Sequence, residues 1–215
     1  MLFRSKVVSQ PWLGFGKQKN FAASQASHDW ILNVDADEVV TPELAAEIQS
    51  WLRQQAAIAP LGAPAGILAI PRKTYYRGQW IRFGGWYPNA VKRLGHRAHS
   101  RWSEPELHES LEGDGVITTA SHPMLHYSFD SITDQIETNL KYARHGSRDL
   151  QRKGQRFSLI RLTLKPISKF IECYFWKRGF LDGKLGLIIA VNAAHSMFLK
   201  QAFLLEQGST PGKNP

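Results

Sequence analysis

The stretch WILNVDADEVV, from Trp30 to Val40, sets three carboxylates, Asp35, Asp37 and Glu38, at the end of a run of β-type apolar residues. Carboxylates held this close repel one another, and a bound cation offsets that cost most readily. A solvated acidic loop leading into a helix accommodates them as well. In GFGKQKN, Gly14 and Gly16 permit unusual backbone angles while Lys17, Lys19 and Asn20 supply donors. A glycine-rich turn that opens a helix is an anion site, or a plain turn with solvated lysines. RWSEPELHES puts Glu104, Glu106, His108 and Glu109 beside Trp102. An aromatic wall can desolvate a carboxylate until it serves as a base near neutral pH; the other reading is a polar loop anchored by its tryptophan. His126, in MLHYSF, is either a satisfied core histidine or a metal ligand whose ring needs a second partner to fix its tautomer.

These residues need elements to position them. Trp30, Ile31, Leu32 and Val34 read as a short buried strand broken by Asn33, with the acidic turn at its carboxyl end, where open α/β sheets collect ligands. Residues 12–29 give a glycine-punctuated turn and then a helical pattern. Thr41-Pro42-Glu43 is a helix start, and residues 43–55 place Leu44, Ile48, Trp51 and Leu52 on one helical face. AIAPLGAPAG is a loop, and ILAIPRKTYYRG reads as a strand with a break at Pro71. Short strands and loops fill 79–121, and MLHYSF is a further strand. Three helices follow: a long polar one over 131–153, a basic amphipathic one over 157–178 and a more apolar one over 183–205.

With 215 residues, 43% of them hydrophobic, the chain can bury a substantial core. Its single cysteine, Cys173, excludes an internal disulfide framework and points to a reducing compartment. MLFRSKVVSQPW lacks the apolar core and cleavage site of a signal peptide. No uncharged stretch reaches the ~20 residues of a membrane span; the nearest, between Lys184 and Lys200, holds Asn192 and His195. The net charge of +9 is uneven: residues 141–200 carry 13 Lys/Arg against Asp149, Glu172 and Asp182. Lys153, Arg156, Arg161, Lys165, Lys169, Lys177 and Arg178 interleave there with Phe157, Ile160, Ile167, Phe170, Phe175 and Trp176. Such a helix lies in a membrane interface, or packs its apolar stripe on the rest of the chain. The basic segment also admits a nucleic-acid-binding reading, although no nucleic-acid motif accompanies it.

Taken in order, W.GFGKQKN.A, DWIL..DADE, Y.RG.WI..GGWYPN, LHE.L, LHYSF.SI and KRGFLDGK.G resemble the family 2 glycosyltransferases of the lipopolysaccharide-core type, from Trp12 to about Glu206. The resemblance implies an α/β, GT-A fold and an inverting, metal-dependent hexosyl transfer. It makes Asp35 and Asp37 the aspartates of the Asp-x-Asp motif, with Asp37 on an Mn²⁺ or Mg²⁺ ion and Asp35 near the donor ribose or a metal-bound water. Glu109 takes the place of the acceptor-activating base and His126 that of the late histidine that reaches the metal, while Lys19 and Asn20 stand near the nucleotide. Trp86, Trp102 and His108 fall on the acceptor side. The expected partners are a UDP-hexose donor, a lipid-linked or lipopolysaccharide-core saccharide and an anionic membrane surface, without nucleic acid. The location implied is cytoplasmic, peripheral at the inner face of the cytoplasmic membrane.

One departure separates this chain from that pattern. It starts just before W.GFG, without the first strand-helix-strand unit and its Asp-x-Gly-Ser-x-Asp-Gly-Thr stretch. The expected organisation is a GT-A core over 1–130 that lacks this unit, basic amphipathic helices forming a membrane-associating appendage over 131–206, and a disordered tail over 207–215. Loss of the unit exposes sheet edges, and it keeps open the reading of a truncated, non-catalytic remnant.

Overall fold

A computed structural model describes residues 6–58, 65–104 and 109–208. Its elements, in chain order, are α1 (Phe15–Ser24), β1 (Trp30–Leu32), β2 (Glu38–Val39), α2 (Pro42–Ile58), β3 (Ile67–Tyr76), β4 (Gln79–Trp80), β5 (Ala90–His96), β6 (Ser100–Trp102), β7 (Leu111–Gly113), β8 (Ile117–Thr119), β9 (Met124–Phe129), α3 (Ile132–Arg152), α4 (Leu159–Ile171) and α5 (Gly183–Gly208). The chain is mixed α/β.

The apolar run Ile67–Ile70 is buried on both faces, as suits the central strand of a covered sheet. Its alternation sends Leu68 and Ile70 to Leu44, Ile48 and Trp51 of α2, and Ile67 to Trp102 and Leu111 of the β6–β7 hairpin. Burying each such side chain stabilises the fold by about 1.5–3 kcal/mol. The main sheet runs β1-β5-β3-β9-β2, with β4 and β8 also bonded to β3. β5 is antiparallel to β3, whereas β8 and β9 are parallel to it. Thr41 starts α2 as expected, accepting the Leu44 N–H at 3.2 Å.

Three expectations change. β3 runs unbroken through Pro71. Pairing with β8 ends at Ala69 and pairing with β9 begins at Arg72, so no partner strand on that edge needs the missing proline N–H. The Trp30 strand is half-buried rather than buried, because β1 ends the strand order, and Val34 beyond it is 40% exposed. The run Gly179–Gly208 is, by length and composition, long and apolar enough to cross a membrane, contrary to the reading of 184–200. Its polar Asn192 and Gln201 are buried within the fold, so they do not break the apolar helix, and part of the run serves the core.

The helices are tied to the sheet at two points. At the first, Ile189 of α5 packs on Tyr76 and Ile81, and Gln135 of α3 accepts from the Tyr76 hydroxyl at 3.1 Å and from Asn192 at 2.6 Å. At the second, buried Asp182 accepts the backbone N–H groups of Arg82 (3.2 Å) and Phe83 (2.9 Å), and Gly84 N–H donates to the Lys177 carbonyl at 2.9 Å. The loop that carries Trp86 is thus held by the segment between α4 and α5.

Candidate active site

The acidic turn between β1 and β2 divides its carboxylates by role. Glu38 accepts the Asp35 N–H at 3.0 Å and an ion pair from Arg93, with its side chain fully buried. It is a structural acid that closes the turn. Asp35 is also held by Arg93, with Lys19 Nζ at 3.9 Å from its other oxygen, and keeps a 41% exposed side chain. Asp37 is not paired with Arg93: its side chain is 45% exposed and its carboxylate lies 3.1 Å from His126 Nε2. Its backbone carbonyl accepts the Tyr127 N–H at 2.8 Å, which fixes the turn against β9.

His126 pairs opposite Glu38 in the β2–β9 ladder, which aims it at the turn. The other ring nitrogen lies 3.3 Å from the Thr74 hydroxyl, the second partner that sets the tautomer. Burial, then the Arg72 charge, push this imidazole below its ordinary value, and Asp37 and Glu38 pull it back. Burial and the neighbouring Arg93 likewise lower Arg72, against the pull of Glu38, Asp35 and Asp37. Arg72 and Arg93 each keep a buried Nε without a hydrogen-bond partner among the described residues. Two guanidiniums that carry spare donors beside exposed aspartates suit an anion that arrives with a cation.

A cavity of about 950 Å³ is lined by Lys19, Asp35, Asp37, Trp102 and Glu109 together, with Arg72 and Arg93. Lys19 connects them: its ammonium is 2.8 Å from Glu109, 3.9 Å from Asp35 and 4.4 Å above the Trp102 ring. Glycine is required for that approach, because a Cβ on Gly16 would strike the Ser103 carbonyl oxygen at 2.0 Å. α1 therefore lies directly on the strand that ends in Trp102. His126 and Trp86 line an adjoining recess of about 250 Å³, which shares Arg72 with the larger cavity.

Other expected residues have different surroundings. The Asn20 amide donates to the Trp102 carbonyl at 2.9 Å and accepts the Trp102 N–H at 2.9 Å, so it mimics a strand partner and docks α1 on β6. Trp102 is 6% exposed with Lys19 over its ring, which leaves it a wall more than a stacking platform. Trp86 is half-buried against Tyr76 and Phe129. Glu104 is bound to Arg101 at 2.7 Å and to Asn20 at 3.2 Å. His108 and Glu106 lie outside the described residues. Among the described residues no three His, Cys, Asp or Glu side chains converge as a metal cluster; Asp37 and His126 form a pair.

Arg93 and Arg72 are the site residues that sequence reasoning missed. The available signal was an arginine at alternating positions of strands otherwise buried by apolar residues, since a buried arginine demands acids nearby.

Residues 2–104 match the glycosyl transferase family 2 model. The chain is 29% identical over 219 residues to an uncharacterized glycosyltransferase of Rickettsia conorii, a match covering 98% of this chain and 76% of that protein. A Rickettsia felis counterpart is 29% identical over 211 residues, with 94% and 73% covered. The lipopolysaccharide core biosynthesis glycosyltransferase LpsC of Rhizobium meliloti is 26% identical over 221 residues, with 92% and 74% covered. With its acids, its lysine and its tryptophan gathered on one cavity and these sequences alongside, the chain is similar to the family 2 glycosyltransferases and is a transferase enzyme.

Proposed function

We propose that this glycosyltransferase is of the inverting GT-A type and moves a hexose from a UDP-hexose donor to a lipid-linked or lipopolysaccharide-core saccharide. The observation that carries this reading is the meeting of Asp35, Asp37, Lys19 and Glu109, drawn from three separate stretches of sequence, on one cavity. The name of the Rhizobium meliloti relative supports the core saccharide as acceptor.

The donor set fits a divalent cation. Asp37 offers an exposed carboxylate and His126 a desolvated imidazole 3.1 Å away, with Asp35 beside them. Asp37 and His126 would hold Mn²⁺ or Mg²⁺, and such an ion would supply positive charge for a leaving diphosphate. Arg72 and Arg93 bring further donors toward the same phosphates. Glu109, on the other side of Lys19, is the base that takes the proton of the acceptor hydroxyl as it attacks the anomeric carbon. Lys19 holds that carboxylate in place and bridges it to the acidic turn. Attack opposite the departing phosphate inverts the anomeric centre.

The core over residues 1–130 and the helices over 131–206 act together in this reading, because α3 and α5 line the same cavity. α4 buries none of its residues, and Leu159, Ile160, Leu164 and Ile167 are each more than half exposed, followed by Trp176 at 84%. That apolar face with its basic flanks supports an interfacial position at the inner, cytoplasmic face of the membrane, where a lipid-linked acceptor is presented.

Calorimetric titration with UDP tests the cation assignment. The wild-type protein binds UDP at least about tenfold more tightly with Mn²⁺ than with EDTA, a difference of ~1.4 kcal/mol. Asp37→Ala removes that difference and leaves thermal stability nearly unchanged. Undiminished metal dependence in Asp37→Ala would contradict the assignment.

A further inference from the structure

The cavity that holds Glu109 has a second wall, on which stand cations that the chemistry above does not use. Lys92 of β5, Lys153 at the C-terminal cap of α3 and Lys200 of α5 all line it. Lys92 and Lys200 are half-buried, and neither side chain has a hydrogen bond or ion pair among the described residues. Asn139, Tyr142 and Ser196 add neutral hydrogen-bonding groups to the same wall.

The berth of Lys200 is built into α3. A Cβ on Gly146 would come within 2.7 Å of Lys200 Cε, so the glycine leaves the space in which the lysine stem lies. Glycine inside a helix is destabilising relative to alanine, and the room for that stem is what the helix gains. Burial pushes the Lys200 ammonium below its ordinary value; Asp149 raises it and Lys169 lowers it. Asp149 also faces Arg152 at 3.9 Å, so it is shared rather than dedicated to Lys200. A partly desolvated ammonium without its own counter-ion is stabilised by an anion from outside.

The donor diphosphate is already matched by the Asp37–His126 pair and the Arg72 and Arg93 guanidiniums, on elements of the sheet. Of the three lysines, Lys153 and Lys200 belong to the helices, and Lys92 is the neighbour of Arg93 on β5. Resting on the transfer reading above, we infer that Lys92, Lys153 and Lys200 form an anion subsite for a phosphate or carboxylate borne by the acceptor saccharide. An acceptor so charged is drawn into the cavity and oriented with a neighbouring hydroxyl at Glu109. A neutral acceptor leaves the three cations with Asp149, which lines the same cavity and is shared with Arg152, as their carboxylate.

The test uses glucose 6-phosphate as probe, followed by phosphorus NMR on the full chain, with glucose and UDP–Mn²⁺ as comparisons. Glucose 6-phosphate binds to the wild type and glucose at the same concentration does not displace it. Lys92→Met with Lys200→Met weakens that binding at least about tenfold while UDP–Mn²⁺ affinity stays within about twofold, which also shows that the variant is folded. Gly146→Ala, which pushes the Lys200 stem aside without removing charge, weakens it by a smaller factor. Unchanged glucose 6-phosphate binding in the double variant overturns the subsite. A parallel loss of UDP binding also overturns it, because the lysines would then serve the donor. Failure of UDP to bind the wild type, with glucose 6-phosphate behaving as described, counts against the UDP-donor reading and leaves the subsite standing.

Discussion

Arg93 is the residue on which the acidic turn depends. It is 4% exposed, and its guanidinium donates to Asn33, Asp35 and Glu38 at once. Replacing Arg93 with methionine leaves Glu38 buried without a counter-charge, and breaking a buried pair from one side costs about 3–5 kcal/mol. Urea unfolding of Arg93→Met should show a loss of that size; a loss under about 1 kcal/mol would mean that the turn closes without it. At this scale the sequence disclosed acids and not their division of labour. Asp35, Asp37 and Glu38 look equivalent in a string, and Glu38 is structural because its side chain is fully buried against Arg93, 55 positions away, and accepts the Asp35 N–H. Asn20 shows the converse: its type announced a donor to a ligand, and its amide is taken up by the Trp102 backbone.

Among the elements, strong periodicity was the most legible signal. The apolar stripe of α2 and the polar length of α3 follow from side-chain spacing, and β3 from its continuous apolar run, which suits a strand covered on both faces. The unbroken passage through Pro71 depends on which partner strand lies alongside at that residue, and pairing across the sheet is not a local property. α4 is the element whose chemistry most plainly seeks a partner. Glu172 accepts from both Lys169 and Lys177, so those two cations are largely spent locally, while Lys165, Arg178 and Lys184 remain exposed. The protein should bind liposomes with anionic lipid and lose that binding as salt rises. With ~1 kcal/mol for each cation near the surface, Lys165→Gln, Arg178→Gln and Lys184→Gln together should weaken sedimentation with such liposomes by roughly a hundredfold. Equal partitioning onto neutral and anionic liposomes would remove the electrostatic anchor from the account.

Across the whole molecule, the candidate cavity is shared between the sheet and the helices. The sequence suggested a core followed by a basic appendage. What it could not convey is that α3 and α5 fold back to wall the cavity, since that docking rests on long-range bonds such as Gln135 to Tyr76 and Asp182 to the 82–83 backbone. In the proposed transfer Glu109, held by Lys19 beside the acidic turn, removes the acceptor proton. The most direct measurement is the rate of labelled-hexose transfer from UDP-hexose to purified lipopolysaccharide by Glu109→Gln, with UDP–Mn²⁺ affinity measured alongside. The expected result is a kcat lower by ~10²–10⁴-fold with donor affinity unchanged. A kcat within about threefold of the wild type, or a crippling effect of Glu104→Gln in its place, would contradict it.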